Sequence, residues 1–192
     1  MKIKKNVQLI RNDISSLYNK MNKRFDELNI NNNINNKEIK YKDGRYVGQV
    51  VNGLREGKGI YYIFNGDRYE GEWKNDKRDG KGIAYFHDGD RYKGDHRNGQ
   101  AEGKGIYYWN DGNRYEGDFR NGKPEGKGIY YYNKEPFKGD RYEGDYRNDK
   151  REGKGIYYYN NGDREMGDYF NDQRIGKHVK LTNTGEVQIN NY

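Results

Sequence analysis

The residues of this sequence that could carry chemistry are three histidines and two short motifs rich in glycine or acid. His87, His96 and His178 have no carboxylates at a recurring metal-ligand spacing, so neither a zinc site nor a catalytic histidine is predicted. The tripeptide Asp-Gly-Asp at 88–90 begins like a calcium loop but lacks the later bidentate Glu. Residues 99–105 are similar to a phosphate loop, yet they have three spacer residues instead of four and no Ser or Thr after the Lys. We therefore predict no enzymatic activity, no metal and no cofactor.

The composition narrows the fold and the cellular setting. Only 31% of the 192 residues are hydrophobic, whereas 27 are Gly and 21 are Tyr, which favours a thin Tyr-rich sheet over a two-layer core. The absence of cysteine excludes a disulfide framework and a thiol nucleophile. No apolar run is long enough to span a bilayer, and the basic start lacks the apolar segment of a signal peptide. The expected location is the cytoplasm, with peripheral attachment to a membrane or the cytoskeleton left open.

One repeated unit organises the chain from residue 46 to residue 187. Successive copies begin at Tyr46, Tyr69, Tyr92, Tyr115, Tyr142 and Glu165. The period is therefore 23 residues, with a four-residue insertion in the fourth copy. Counted from the opening residue, the recurring places are Tyr at 1, Gly at 3, 12, 14 and 21, Ile at 15 and Tyr at 17. A period of this length indicates stacked supersecondary units.

The pattern Tyr-x-Gly, with an aromatic residue two places later and Gly-x-Gly further on, resembles the MORN (membrane occupation and recognition nexus) repeat. Residues 69–73 with 80–82 carry it, and so do residues 115–119 with 126–128. Five copies match fully at the Tyr and Gly places, and the resemblance covers about three quarters of the chain. It implies an array of β-hairpins that acts as a binding module. Within the family, membrane or phosphoinositide association and protein scaffolding are both described, and the pattern does not choose between them.

Turn residues between the two extended runs of each copy predict the strand register. Asn or Asp followed by Gly stands at positions 20–21, as in Asn65-Gly66, which favours a two-residue hairpin turn. This turn places position 17 opposite position 1 of the next copy, so that Tyr62 faces Tyr69. Positions 1, 3, 5, 15 and 17 then form an apolar face, and acids and bases at 2, 4 and 6 lie on the other. The longer connection is expected at positions 7–12.

The apolar face is the predicted partner-binding surface, because a row of exposed rings with Gly furrows suits a segment that lies along it. The predicted function is a non-enzymatic protein-binding scaffold or adaptor, and no nucleic acid is expected. The predicted anchors are Tyr69, Trp73, Tyr92, Tyr108, Tyr115, Phe119, Tyr131 and Tyr142.

The N-terminal arm carries a second candidate function. Apolar residues at three- and four-residue spacing predict a short coiled-coil-like helix over 1–28, followed by an Asn-rich linker over 29–40. The helix either packs on the array or pairs with a second copy, and an array edge is another route to a homodimer. Of the net charge of +7, most lies in this arm, so the alternative function is a peripheral membrane or phosphoinositide-associating module. Its predicted lipid contacts are Lys2, Lys4, Lys5, Arg11, Lys20 and Lys23.

These observations combine into one predicted architecture. The fold class is mainly β, an elongated single-layer twisted antiparallel sheet of stacked MORN β-hairpins preceded by one N-terminal α-helix. The array spans 41–192 and ends in a cap, because the sixth copy has Glu165 in the Tyr place and His178 in the Gly place.

Overall fold

The computed structural model describes residues 36–192. These residues build a sheet of fourteen strands, in which each strand pairs with its neighbours in the sequence. All of the pairings are antiparallel. In chain order the strands are β1 (Asn36–Lys40), β2 (Gly44–Val51), β3 (Leu54–Ile63), β4 (Arg68–Lys74), β5 (Lys77–Tyr85), β6 (Arg91–Arg97), β7 (Gln100–Tyr108), β8 (Arg114–Arg120), β9 (Lys123–Tyr131), β10 (Arg141–Arg147), β11 (Lys150–Tyr158), β12 (Arg164–Phe170), β13 (Gln173–Leu181) and β14 (Val187–Asn191).

The predicted fold class requires a correction on its helix. The part of the chain that the structure describes contains fourteen strands and no helix, so the fold class observed there is all-β. The residues assigned to the helix, 1–28, lie outside the described residues. Strand β1 occupies 36–40, the last part of the segment that the sequence assigns to the linker. The antiparallel sheet of stacked hairpins agrees with the prediction.

The tight turns of the sheet lie at positions 7–8 of each copy, where Asn is followed by Asp or Gly. In copy 2 these residues are Asn75 and Asp76, with φ of 48° and 63°. In copy 4 they are Asn121 and Gly122, with φ of 50° and 79°. A type I′ turn needs positive φ at both central residues, and its twist matches that of the strands it joins. A tight turn therefore joins the two strands within a copy.

The longer connections lie between copies, which reverses the prediction. Tyr62 pairs with Arg68 and not with Tyr69, so five residues separate the pair. A two-residue turn at Asn65-Gly66 would leave an even number of residues between two paired residues. The observed number is odd, which shifts the pairing by one residue. The predicted register is therefore wrong, and so is the long connection predicted at positions 7–12.

The observed register changes which side chains share a face. Position 16 lies opposite position 1, and position 14 lies opposite position 3, as in Tyr69 with Ala84 and Gly71 with Gly82. We define the aromatic face as the side with positions 1, 3, 5, 14, 16 and 18. We define the charged face as the side with positions 2, 4, 13, 15, 17 and 23. The predicted placement of Ile at 15 and Tyr at 17 beside Tyr at 1 is therefore wrong, since a one-residue slip moves side chains to the opposite face.

A Tyr ring lying across glycine explains the Gly pattern of the repeat. In copy 2, a Cβ atom on Gly82 would lie 2.3 Å from the Tyr69 hydroxyl oxygen and 2.5 Å from its ring Cζ. The same hydroxyl donates a hydrogen bond to the Glu72 carbonyl oxygen at 3.0 Å. A side chain at position 14 would displace the ring, because the ring already fills that space. Copies 1, 3, 4 and 5 repeat this overlap of Tyr and Gly.

The residue at position 22 links each long loop to the next copy. Asp90 accepts hydrogen bonds from the Tyr107 hydroxyl at 2.7 Å and from the Asn110 backbone N–H at 2.9 Å. Asp140 accepts from the Tyr157 hydroxyl at 2.6 Å and from the corresponding backbone N–H at 2.7 Å. The four-residue insertion of copy 4 precedes Asp140 and leaves this link intact. These bonds fix how neighbouring copies stack.

Candidate functional site

The aromatic face carries a buried row of rings at positions 1 and 5 that pack edge to face. Tyr69 contacts Trp73 of its own copy, with ring centroids 5.1 Å apart. Tyr92 contacts Phe119 of the next copy, with centroids 4.9 Å apart. Ring quadrupoles favour this geometry, and the continuous row lets a sheet of low hydrophobic content bury its apolar mass. Its main role is therefore to hold the copies together.

The structure separates the eight residues predicted to bind a partner. Tyr108 and Tyr131 lie at position 17 on the charged face, where the guanidinium groups of Arg91 and Arg114 stack on them at 4.2 and 4.0 Å. The other six lie in the buried ring row and are each at most 5% exposed, namely Tyr69, Trp73, Tyr92, Tyr115, Phe119 and Tyr142. The eight do not form one surface, because the register places position 17 opposite to positions 1 and 5. Their role in partner binding stays a prediction.

A second row of rings, at positions 16 and 18, is the more exposed part of the aromatic face. Neighbouring centroids in this row lie between 4.7 and 6.1 Å apart. Most of its rings are only half-buried. The row consists of Phe86, Tyr107, Trp109, Tyr130, Tyr132, Tyr157 and Tyr159.

The charged face contains an open groove of about 1380 Å³. It runs across the strands from β5 to β13 and is lined by positions 2, 3, 13, 14 and 15 of successive copies. In its middle these are Lys104, Gly105, Ile106, Glu116 and Gly117. Eight strand spacings of about 4.8 Å give a length of about 38 Å. The groove therefore offers an extended surface and not a pocket for a small molecule.

The two walls of the groove differ in chemistry. One wall, the Ile wall, alternates between Ile at position 15, whose side chains are half-buried, and the position-2 residues paired with them, such as Glu116 beside Ile106. The other is the row of Lys at position 13, in which the ammonium of Lys104 lies 2.7 Å from the Asp118 carboxylate and that of Lys127 lies 2.6 Å from Asp145. The Lys side chains of the four such pairs are 72–85% exposed, against 35–51% for their Asp partners. The cations therefore stand outermost on this wall.

Other chemistry is limited in the part of the chain that the structure describes. Residues 36–192 contain no group of three or more His, Cys, Asp or Glu side chains placed to hold a metal ion. Among the same residues there is no helix long and apolar enough to cross a membrane. The predicted lipid contacts lie outside the described residues and stay a prediction, namely Lys2, Lys4, Lys5, Arg11, Lys20 and Lys23.

A family comparison agrees with the observed repeat. The profile described as MORN repeat matches residues 46–68, 69–91, 92–114, 115–134 and 142–164, which make up more than half of the chain. The chain belongs to the MORN-repeat family. The resemblance inferred from the Tyr and Gly places is confirmed.

Comparisons with other proteins give more distant likenesses. This MORN-repeat chain is similar to the SAS-4 (dCPAP) TCP domain of Drosophila melanogaster, solved in complex with a proline-rich motif of Ana2 (dSTIL), at 14% identity and a TM-score of 0.49. That match covers 82% of this chain and 90% of the other. It is also similar to the TCP10 domain of Danio rerio CPAP in complex with a STIL peptide, at 16% identity and a TM-score of 0.22, covering 81% and 83% of the two chains. The comparison with curated proteins gave no match.

The sixth MORN copy also packs an aromatic ring over a glycine, but the ring belongs to position 14 and the glycine to position 3. Position 1 holds Glu165 and position 14 holds His178, and a Cβ atom on Gly167 would lie 2.2 Å from the His178 ring. The His178 Nε2 atom lies 2.9 Å from the Asp168 carbonyl oxygen. In copies 1 to 4 the hydroxyl of the Tyr at position 1 donates a hydrogen bond to the corresponding carbonyl oxygen of position 4, as Tyr69 does to Glu72. The His ring at position 14 therefore compensates for the missing Tyr ring at position 1.

Glu165 is the centre of a buried polar cluster in the sixth copy. Its carboxylate accepts hydrogen bonds from the hydroxyls of Tyr159 at 2.6 Å and Tyr192 at 2.9 Å, and from the Asn190 amide at 3.1 Å. Arg174 lies 3.4 Å away. Burial by itself raises the pKa of Glu165, but these hydrogen bonds and the Arg174 charge together outweigh it, so the pKa is lowered. The cluster holds a carboxylate in a structural role.

Sequence reasoning missed the groove, although a signal for it was present. Asn-Gly at 98–99 and 121–122 is as strong a hairpin signal as the pairs at positions 20–21. If the tight turn lies at positions 7–8 of each MORN copy, the longer connection is the one that joins each copy to the next. The resulting register places Ile at 15 and Lys at 13 together on the charged face.

Proposed function

We propose that this MORN-repeat chain is a non-enzymatic protein-binding scaffold whose partner lies along the groove of the charged face. The observation that carries the proposal is the groove itself, about 38 Å long and lined along one wall by Ile side chains that are only half-buried. Apolar surface of this extent gains free energy when a partner removes it from water. The buried ring row gives the sheet a rigid frame, so a partner loses little free energy in ordering it.

A photoreactive amino acid at a groove position tests the proposal in cells that produce the full chain. We would place it at Ile106, inside the groove, and at Ile60, the same repeat position outside it. Protein adducts that form at position 106 and not at position 60 support the scaffold. A third variant, with the photoreactive group at Trp109, tests the half-exposed rings of the aromatic face. Protein adducts only at position 109 would indicate that the partner binds the aromatic face. The absence of protein adducts at all three positions would contradict the scaffold proposal.

The second candidate, peripheral binding to anionic lipid, draws on the exposed Lys row of the groove wall. Four of these Lys side chains already pair with Asp, as Lys81 does with Asp95 at 2.9 Å, so their net field is weak. We expect any lipid binding to depend on the basic arm. Sedimentation with anionic vesicles, at low and high salt and with and without residues 1–35, distinguishes this candidate, because electrostatic binding weakens as salt rises.

A further inference from the structure

We infer that the groove accepts an amphipathic α-helix of a partner protein, with one aliphatic residue in each heptad against the Ile wall and acidic residues against the Lys wall. This inference rests on the proposed scaffold function and adds the conformation and chemistry of the partner segment.

The backbone of the sheet argues for a helix over an extended segment. Strands β5 to β13 are interior and pair on both sides, so their backbone N–H and C=O groups are already used in the sheet. An extended segment lying across them would lose water from its own backbone groups and gain no backbone partner, which is costly. A helix satisfies these groups internally. The groove can therefore take up a helix without leaving backbone groups unpaired.

The pitch of the groove fits a helix. The wall residues Ile83, Ile106, Ile129 and Ile156 occur once per copy, two strands apart, which corresponds to about 9.6 Å. Seven helical residues rise about 10.5 Å, so one heptad matches one repeat to within about a tenth. The length of about 38 Å accommodates about 25 helical residues, or between three and four heptads. One aliphatic residue per heptad then meets one Ile per copy.

The floor of the groove lets a helix approach closely. Between the Lys and Ile walls lies a strip of glycines at positions 3 and 14, such as Gly105 and Gly117, which pair directly with each other. These residues carry no side chain, and the Tyr rings that cover them lie on the aromatic face. A ridge of helix side chains can therefore enter the strip and contact both walls at once.

The exposed ends of the paired Lys side chains favour one kind of helix over another. The Lys ammonium groups stand further out than their Asp partners, so an approaching segment meets positive charge first. Glu residues along one flank of the helix complement them, and a matching row of Lys would be repelled. Electrostatic complementarity of this kind increases specificity more than affinity. The preferred partner is thus apolar on one stripe and acidic beside it.

A designed peptide tests the inference with the full chain. The probe is a labelled 28-residue peptide of four heptads, with Leu on one stripe and Glu on an adjacent flank, and binding is followed by fluorescence anisotropy. We expect the peptide to bind and two matched peptides to bind at least about tenfold more weakly, a factor equivalent to about 1.4 kcal/mol. One carries Lys in place of Glu, and the other carries two interior Pro residues that break the helix.

Protein variants locate the binding to the groove. Ile106→Thr combined with Ile129→Thr keeps the β-branched side chains of the strands but removes aliphatic surface, and should weaken binding at least about tenfold. Ile60→Thr, outside the groove, is the matched control and should change binding less than about twofold. Failure of the Glu peptide to bind, or equal binding of the Pro peptide, overturns the helix assignment. Protein adducts at position 106 would still support the scaffold, so the two proposals fail separately.

Discussion

Replacing Glu165 by Tyr and His178 by Gly gives the sixth copy the residue pair that the first five copies carry. The structure predicts that the two changes are strongly coupled. In the native chain the His178 ring, which is fully buried, occupies the space over Gly167 that a Tyr ring fills elsewhere. Each single variant is therefore mismatched, whereas the double variant regains the packing of copies 1 to 5.

The magnitudes follow from the contacts that each single variant loses. The His178 ring packs against Tyr169 and Tyr192, with centroids 5.3 and 5.0 Å apart, and its Nε2 atom bonds the Asp168 carbonyl. With about 1 kcal/mol for each ring contact and about 1 kcal/mol for the hydrogen bond, His178→Gly should cost about 3 kcal/mol. Glu165→Tyr brings a second ring into occupied space and removes the acceptor of the polar cluster, so we expect a cost of about 3 kcal/mol as well.

The double variant should lose only about 1–2 kcal/mol, because Tyr can then lie on Gly and only the polar cluster is lost. The two single costs sum to about 6 kcal/mol, so the coupling energy is expected to be about 4–5 kcal/mol in magnitude. Hydrogen exchange of β12 and β13, followed by mass spectrometry, is the suitable assay, since a terminal repeat can open without global unfolding. Gln173→Ala, an exposed position in β13, serves as the control. Additive effects, with a coupling energy below about 0.5 kcal/mol, would refute the claim that the His178 ring takes the place of the Tyr ring of the other copies.

Three further predictions concern a glycine beneath a Tyr ring, a buried histidine and the inserted loop. Gly82→Ala should destabilise the protein by about 3 kcal/mol in urea unfolding, because its Cβ overlaps a Tyr ring, whereas Gly99→Ala, with open space around it, should cost about 1 kcal/mol for its positive φ alone. Burial lowers the pKa of His96 to about 4 from its ordinary 6.5, so the unfolded chain takes up the proton at a higher pH than the folded chain does. The free energy of unfolding should therefore fall by about 3 kcal/mol as the pH drops from about 6.5 toward 4. His96→Phe should remove this part of the pH dependence; unfolding curves of both proteins at pH 7 and 4.5 that shift in parallel would contradict it. Deleting residues 135–138 should leave the melting temperature unchanged within about 2 °C, because Phe137 in this loop is 52% exposed; a larger drop would mean that the loop packs structurally.

Several features of this protein could be predicted from the sequence alone. The 23-residue period, the boundaries of the copies and the resemblance to MORN repeats depend only on the spacing of Tyr and Gly. Strands follow from the turn residues and from the lack of apolar mass for a thick core. The expectation of stacked hairpins is local, because each copy pairs mainly with itself and its neighbours.

The register and the two faces could not be predicted in the same way. In copies 1, 2, 3 and 5 both connections carry Asn or Asp followed by Gly or Asp, so local chemistry could not say which one is tight. Since side chains alternate along a strand, choosing the wrong connection moved Ile106 and Tyr108 to the wrong face. The choice is made by the Tyr at position 1, which must lie on the same side as the glycine that it covers. The partner anchors predicted from a single apolar face were therefore divided between two faces.

The end of the array shows the same division between sequence and structure. The sequence shows that Glu165 and His178 depart from the repeat pattern, and this departure predicts a terminal cap. It does not show that the two residues compensate each other, because they are thirteen positions apart and meet only across β12 and β13. The groove has the same origin, since its Lys, Gly and Ile come from nine strands that only the sheet brings together. Spacing along the chain determined the repeat, and contacts between strands decided which residues share each face of the sheet.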